Sequence, residues 1–209
     1  MKRMQPEEIY QESFRRIRQG PNIPFSQEER YVVERIIHAT ADWEYRNTVR
    51  IHEQAMSRAI SAIRLKAPVV TDVEMVLAGL SRGLRKQAEL EAWCYVDDPD
   101  AHAMARHLKM TRSAWGIRRA AHIHGNHVIV VIANAPTALL ETLQLVEEGW
   151  RPHVIIGVPV GFVMAKESKE RLEQQSLIPY ITNLSEKGGS AVGAAIVNAL
   201  LLLGSGQAC

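Results

Sequence analysis

Apolar residues recur at helical spacing in the first third of the chain. Pro6 suits the first turn of a helix, and Gly20-Pro21 ends the periodic segment that follows it. A capping-box pattern, Ser26-Gln-Glu-Glu29, opens a second helix. A further apolar stripe predicts a third helix from near Arg50 to Ile63. The chain therefore begins with a helical N-terminal segment.

From residue 68 onward, short apolar runs alternate with helical stretches. The predicted strands are Pro68–Thr71, Leu90–Val96, Val128–Ala133, His153–Val158 and Ile178–Thr182. The helices after them are predicted to begin around Asp72 and to cover Asp100–Leu108, Pro136–Glu148, Lys166–Gln175 and Ser190–Leu203. Alternation of this kind is typical of a parallel sheet covered by helices on both faces. We expect an α/β fold with a flavodoxin-like, doubly wound, five-stranded parallel sheet, in one domain spanning residues 1–209.

Composition places the chain among ordinary globular proteins. The 25 basic and 23 acidic residues give a net charge of +2, which is no footprint for nucleic acid, so any anion binding must be local. The charged first residues predict no secretory signal, and the longest apolar runs are too short to span a membrane. Cys94 and Cys209 have no metal-type spacing. A cytoplasmic location is therefore expected.

Three of the predicted strands are followed by turns that suit anion binding. Asn134 follows the third strand and can cap the next helix while the free amide groups face outward. Pro159-Val-Gly-Phe162 follows the fourth strand, and Lys187-Gly-Gly-Ser190 precedes the last helix. Each turn alone is also explained by ordinary capping. Together they predict a wall that binds carboxylate or phosphate groups, because the carboxyl ends of parallel strands share one edge.

Two side chains are candidates for chemistry. His38 lies near the end of the second predicted helix, close to Thr40 and Asp42, and an imidazole there can act as an acid–base group near neutrality. Capping of the helix carbonyls is the alternative. Arg112 can reach a ligand with its planar, permanently charged group, or form a helix-end ion pair. The residues alone leave both alternatives open.

Several standard motifs are absent. The sequence contains neither GxGxxG nor a P-loop, so a nucleotide cofactor has no fingerprint. His52-Glu53 begins a zinc-protease pattern, but Met56 stands where its second histidine belongs. His122, His124 and His127 would share a face in an extended segment, yet no carboxylate or cysteine completes a ligand set. We therefore predict no metal site.

Seven motifs, in order and spread over most of the chain, resemble the precorrin-8X methylmutases, a family that includes the cobalt-precorrin-8 methylmutases and is also called the precorrin isomerases. They are Arg35-Ile-Ile-His-Ala-Thr-Ala-Asp42, Thr71-Asp-Val-Glu-Met-Val76, Thr111-Arg-Ser113, Asn134-Ala-Pro-Thr-Ala-Leu139, Pro159-Val-Gly-Phe-Val163, Glu167-Ser-Lys169 and Lys187-Gly-Gly-Ser190 followed by Asn198-Ala-Leu200. The resemblance runs from about Ser13 to Leu200.

The resemblance implies a flavodoxin-like homodimer with its active site near the subunit interface. Its reaction moves a methyl group from C-11 to C-12 of precorrin-8X or cobalt-precorrin-8, giving hydrogenobyrinate or cobyrinate in cobalamin biosynthesis, without an organic cofactor. His38 is then the catalytic proton donor and acceptor. The implied substrate-binding residues are Ser13, Arg35, Thr40, Arg112, Asn134, Lys187, Gly188 and Ser190.

Four positions depart from the family pattern. Ala41 and Ala133 stand where glycine is usual, and Ser185-Glu186 stands where Gly-Arg is usual. The last change removes a positive charge near the expected carboxylates. Two other functions stay open at this stage: a non-catalytic protein that binds a corrinoid or tetrapyrrole, and a nucleotide-dependent enzyme of the same fold. The missing phosphate fingerprints disfavour the second, and a pure binder would not need His38, Arg35 and Arg112 together.

Overall fold

The computed structural model describes residues 4–22 and 24–206, so Cys209 lies outside it. The described helices are α1 (Pro6–Gln19), α2 (Gln27–Thr40), α3 (Tyr45–Thr48), α4 (Ala55–Arg64), α5 (Glu74–Gly79), α6 (Arg82–Gln87), α7 (Ala101–His107), α8 (Arg112–His124), α9 (Pro136–Glu147), α10 (Ala165–Gln174) and α11 (Ser190–Gly204). The described strands are β1 (Val49–Ile51), β2 (Val69–Thr71), β3 (Ala92–Cys94), β4 (Ile129–Ile132), β5 (Val154–Gly157) and β6 (Tyr180–Asn183).

The strands form one mixed sheet in the order β1-β6-β5-β4-β2-β3. Strands β2 to β6 pair in parallel, and β1 pairs antiparallel with β6 at the edge. The prediction of an α/β fold is confirmed, but the prediction of a purely parallel, five-stranded sheet was wrong. The third predicted helix began too early, because Arg50 and Ile51 lie in β1 and pair with Thr182 and Ile181. Ile51 has helical spacing to Ala55, Ala59 and Ile63, so the apolar stripe of α4 extends into β1 and conceals the strand in the sequence.

Strand β4 shows why the sheet is covered on both faces. Ile129 and Val131 belong to one hydrophobic core, together with residues of α2, α4 and α11. Val130 and Ile132 belong to a second core, with residues of α7, α8 and α9. Since successive side chains of a strand point to opposite faces, an unbroken apolar run is what a strand with two cores requires.

The N-terminal segment packs against α11 through α2. Ser26 caps α2, and Glu29 returns a hydrogen bond to the Ser26 backbone, as the capping-box pattern predicted. Phe14 and Ile17 are the buried residues of α1. None of the helices in the described part of the chain has the length and apolar character needed to cross a bilayer.

Candidate active site at the carboxyl edge of the sheet

His38 lies in the last turn of α2, exposed on one side and covered on the other by α1. The Phe14 ring stacks on the imidazole with centroids 4.8 Å apart and planes 15° apart. Tyr10 meets the imidazole edge-on at 5.8 Å. Tyr10 and Phe14 are one helical turn apart, so both reach the same neighbour. The two aromatic rings fix the imidazole plane and leave an open face for a ligand.

Arg35 supplies the local positive charge. Its guanidinium carbon lies 5.7 Å from the Phe14 centroid and 5.9 Å from the Tyr10 centroid, and it donates a hydrogen bond to the Tyr10 hydroxyl. Partial burial, and secondarily the charge of Arg35, lower the pKa of His38 below its ordinary value. The neutral imidazole is therefore the main form at neutral pH in the free protein.

Ser13 and Thr40 both make hydrogen bonds within their own helices. The Ser13 hydroxyl donates to the Ile9 carbonyl at 2.8 Å, and the Thr40 hydroxyl donates to the Ile36 carbonyl at 2.8 Å. Thr40 Oγ1 also accepts from the Asp42 amide at 3.3 Å, beside the left-handed residue Ala41 that ends α2. Both hydroxyls keep acceptor capacity, but their hydrogens are committed to carbonyls. Their expected contacts with substrate stay a prediction.

Lys187 connects the His38 end of α2 to the carboxyl edge of the sheet. Its ammonium lies 2.6 Å from Asp42 Oδ2 and 2.6 Å from Glu44 Oε2. The two carboxylates raise the pKa of Lys187, and the lysine lowers the pKa of Asp42. Because Lys187 follows β6 and Asp42 follows α2, this contact brings His38 to the edge where the strand ends meet. From the sequence, Lys187 was expected to bind substrate, and its two carboxylate partners were not predicted.

Asn134 does not cap α9, contrary to the sequence prediction. The capping position is Ala135, without a side-chain bond, and the turn is held by Asp72 from the end of β2. The buried Asp72 carboxylate accepts from the amides of Ala133, Asn134 and Ala135 at 3.1, 2.8 and 2.6 Å. An internal anion thus occupies the position that a substrate carboxylate was expected to take. The Asn134 residue stays exposed at the edge.

Arg112 begins α8 and lies near the start of α9. Thr111, which caps α8, shares a hydrogen bond of 2.8 Å with Thr137 in the first turn of α9. The Arg112 guanidinium donates to Asp97 Oδ1 at 2.6 Å, and both side chains are well exposed. An exposed pair of this kind is weak and leaves most guanidinium donors free for a ligand.

Two neighbouring loops form a joined wall beside Lys187. They follow β5 (residues 158–164) and β6 (residues 184–189). The Gly161 amide donates to the Glu186 carbonyl at 3.0 Å, and the Gly189 amide donates to the Val158 carbonyl at 2.9 Å. Gly188 has φ +155°, and a Cβ there would lie 2.2 Å from the Val158 carbonyl oxygen. Only glycine allows the two backbones to approach this closely.

The histidine cluster separates into different contacts. His122 and His124 lie in the last turn of α8, and not in the extended segment considered from the sequence. His124 Nε2 lies 2.7 Å from the Tyr95 hydroxyl, whereas His127 Nδ1 lies 3.1 Å from His153 Nε2. Within residues 4–22 and 24–206, no group of three or more potential ligands could hold a metal ion.

A surface groove of about 670 Å³ runs along α8 and α9, away from His38. Thr111 and Thr137 lie at one end, and Glu141, Glu147 and Glu148 line its length against Lys109 and Arg171. Arg118 pairs with Glu141 and Glu148, and Arg171 pairs with Glu147, so most of the positive charge along the groove is already neutralised and is not available to a ligand that carries many carboxylates. We therefore place the site at the edge formed by His38, Lys187 and the two loops.

Comparisons with known proteins show the family of the chain. The profile of the family described as precorrin-8X methylmutase matches residues 8–203. The chain belongs to the precorrin-8X methylmutase family. Its members are isomerases, and the chain is an isomerase of this family, so the predicted methyl migration in cobalamin biosynthesis is confirmed at that level.

Curated relatives and a crystal structure extend over nearly the whole chain. A cobalt-precorrin-8 methylmutase of Leptospira interrogans is 46% identical over 193 residues, covering 89% of this chain and 87% of the relative. A precorrin-8X methylmutase of Pseudomonas aeruginosa is 38% identical over 198 residues, covering 92% and 93%. The crystal structure of a precorrin-8X methylmutase from Thermus thermophilus superposes with a TM-score of 0.88 at 33% identity, covering 97% of this chain and 98% of that one.

Proposed function

We propose that the chain moves the methyl group from C-11 to C-12 of precorrin-8X or cobalt-precorrin-8, giving hydrogenobyrinate or cobyrinate, with His38 as the acid–base group. The observation that carries this proposal is the geometry of His38, stacked on Phe14 and open on its other face. Protonation of a ring nitrogen makes the conjugated macrocycle electron-poor, so the methyl group can migrate. The added proton is then lost. One reversible acid–base group suffices for both steps.

The environment of His38 suits this proton transfer. Burial and Arg35 lower its pKa, so the imidazolium gives up its proton readily when it forms. The carboxylates of a bound substrate would oppose the charge of Arg35 and favour protonation of the imidazole. Binding of the anionic macrocycle thus prepares the acid form that the first step needs.

The substrate contacts assigned to Ser13, Arg35, Thr40, Arg112, Asn134, Lys187, Gly188 and Ser190 are part of the same proposal. In support, Arg35 neighbours His38, while Asn134, Lys187, Gly188 and Ser190 follow strand ends at one edge of the sheet. Lys187 would leave Asp42 and Glu44, or contact the substrate beside them. The turn at Asn134 offers its side chain rather than its backbone, because Asp72 already accepts from three amides there.

We further propose one domain over residues 1–209, a cytoplasmic homodimer, and a flavodoxin-like arrangement of β2 to β6 to which β1 adds an antiparallel edge. The parallel strands in the order β3-β2-β4-β5-β6 support that arrangement. Exposed apolar side chains on the loop after β5, with Phe162 95% exposed, support contact with a second subunit beside the site. Light scattering of the protein and of Phe162→Ser tests the dimer.

The direct test of function is absorption spectroscopy with the metal-free precursor and, separately, with its cobalt form. A new chromophore indicates isomerisation, a shifted spectrum indicates binding alone, and an unchanged spectrum contradicts both. The two substrates also decide whether cobalt is already in the macrocycle when this enzyme acts. His38→Ala should bind the tetrapyrrole without converting it.

A further inference from the structure

Lys169 is a buried charged residue that the proposed reaction leaves unused. It lies in α10 with its side chain fully enclosed, which is rare for an ammonium group. Its Nζ donates to the Pro159 carbonyl at 2.9 Å and to the Lys187 carbonyl at 2.7 Å. Among the described residues it forms no ion pair within 4.0 Å, and burial lowers its pKa to about 8.

The two carbonyls belong to the two loops of the wall. Pro159 is in the loop after β5, and Lys187 is in the loop after β6, where Asn183 Nδ2 also donates to its carbonyl at 2.9 Å. Lys169 thus joins the loops from the inside. The backbone hydrogen bonds donated by Gly161 and Gly189 also join the two loops. Removal of the ammonium would leave the Pro159 carbonyl without this donor, whereas the Lys187 carbonyl would keep only the bond from Asn183.

Because a peptide group is planar, the contact of Lys169 with the two carbonyls also fixes the orientation of the amides that follow them, those of Val160 and Gly188. In a trans peptide the carbonyl and the N–H of the following residue point in opposite directions, and the described chain has no cis peptide. The Val160 and Gly188 amides therefore point away from the Lys169 ammonium. Neither donates to an acceptor in the part of the chain that the structure describes. Val160 is exposed and Gly188 is half-buried, so both amides are open to a ligand.

We infer that Lys169 is a positioning residue: by holding the Pro159 and Lys187 carbonyls inward, it turns the Val160 and Gly188 amides outward as donors for a carboxylate of the macrocycle. This inference rests on the proposed function, because it takes the substrate's peripheral acetate or propionate groups as the ligand. Hydrogen bonds from backbone amides to a carboxylate are charge-assisted and stronger than bonds between neutral groups.

The test compares two ligands on one variant. Lys169→Met keeps the length of the side chain and removes its donors, and Lys166→Met removes an exposed lysine from the same helix as a control. The probes are the polycarboxylate corrin product and the same macrocycle with every carboxylate converted to an amide. Binding is read by tryptophan fluorescence, and folding is checked by circular dichroism.

Lys169→Met should weaken binding of the carboxylate form about tenfold, because hydrogen bonds to a charged group are lost. It should weaken binding of the amide form less than about twofold. Lys166→Met should change neither. KM of Lys169→Met should rise with little change in kcat, because the ring nitrogens and His38 are not affected. Equal losses for both probes, or no loss for either, would overturn the inference.

A second variant removes one of the two donors and keeps the Lys169 side chain. Incorporation of the α-hydroxy analogue of valine at position 160 replaces the Val160 amide by an ester, and it should show the same selective loss for the carboxylate probe even if Lys169→Met fails to fold. An unselective or absent loss contradicts the inference. If the wild type does not isomerise the precursor, the proposed function fails while these binding ratios remain interpretable. If the wild type does isomerise the precursor, an equal loss of affinity for the carboxylate and amide probes rejects only the role of Lys169.

Discussion

The Phe14 ring stacks on the His38 imidazole with centroids 4.8 Å apart. The contact joins α1 to the last turn of α2, and it leaves one face of the imidazole exposed. It gives His38 a fixed orientation and a lowered pKa without any carboxylate partner. A histidine that only caps the carbonyls of a helix would not need this stacking contact.

His38→Ala should reduce turnover by at least about 100-fold, the usual contribution of a general acid–base group, and change the dissociation constant of the tetrapyrrole little. His107→Ala, which removes an exposed histidine of α7, is the matched control. The measurements are the rate of chromophore formation and a binding titration. Turnover of the alanine variant near the wild-type rate would show that His38 is not the acid–base group.

Arg35→Met should raise the pKa of His38. Arg35 lowers that pKa by charge repulsion, so its removal makes the imidazolium easier to form and shifts the titration to higher pH. The pH profile of kcat should move upward with it. Arg16→Met removes another arginine, from the exposed face of α1, and should leave the titration in place. Proton NMR of the imidazole gives the titration directly, and an unchanged or downward shift in Arg35→Met contradicts the assignment.

Arg112→Ala should weaken substrate binding about tenfold, and Arg112→Lys should weaken it less, because lysine keeps the charge and loses the planar fork. The pH optimum should stay fixed in both variants, since burial and Arg35 account for the lowered pKa of His38. Asp97→Asn breaks the same ion pair and retains the arginine. If Arg112→Ala and Asp97→Asn have equal, small effects, Arg112 is only a helix-end ion pair.

Stability should depend on Lys169 above neutral pH. Its pKa is about 8 in the native protein and 10.5 in its ordinary state, so the unfolded chain binds the proton more tightly between these values. The free energy of unfolding should therefore rise between pH 8 and 10.5, by about 3 kcal/mol at most. Lys169→Met should lack this increment in urea titrations across that range. The same slope in both proteins would mean that the lysine is not strained by burial.

The purified protein should contain no stoichiometric metal. His124 and His127 turn to different partners, Tyr95 and His153, so they do not converge on one point. Elemental analysis by mass spectrometry after dialysis against a chelator checks this. Tight zinc or cobalt that is lost in a triple alanine variant of His122, His124 and His127 would contradict it.

Local patterns in the sequence determined most of the elements. The capping box at Ser26 and the apolar run of β4 each predicted an element that the structure contains, because capping and two-sided burial act on neighbouring residues. The motifs around His38, Arg112 and Asn134 identified the family, because the order of motifs along the chain can be read from the sequence alone. Strand β1 was missed because Ile51 also fits the helical spacing of Ala55, Ala59 and Ile63.

Only the tertiary structure decided which groups meet at the edge of the sheet. Asp72 lies 61 to 63 residues from the amides that donate hydrogen bonds to it, and Lys187 lies 145 residues from Asp42. Lys169 is adjacent in sequence to neither carbonyl that it joins. Such partners are brought together by chain crossovers, and their charges act over a few ångströms of space, whatever their separation along the chain. The sequence therefore named the family and its candidate residues, whereas the fold decided which of them are already paired and which are free for substrate.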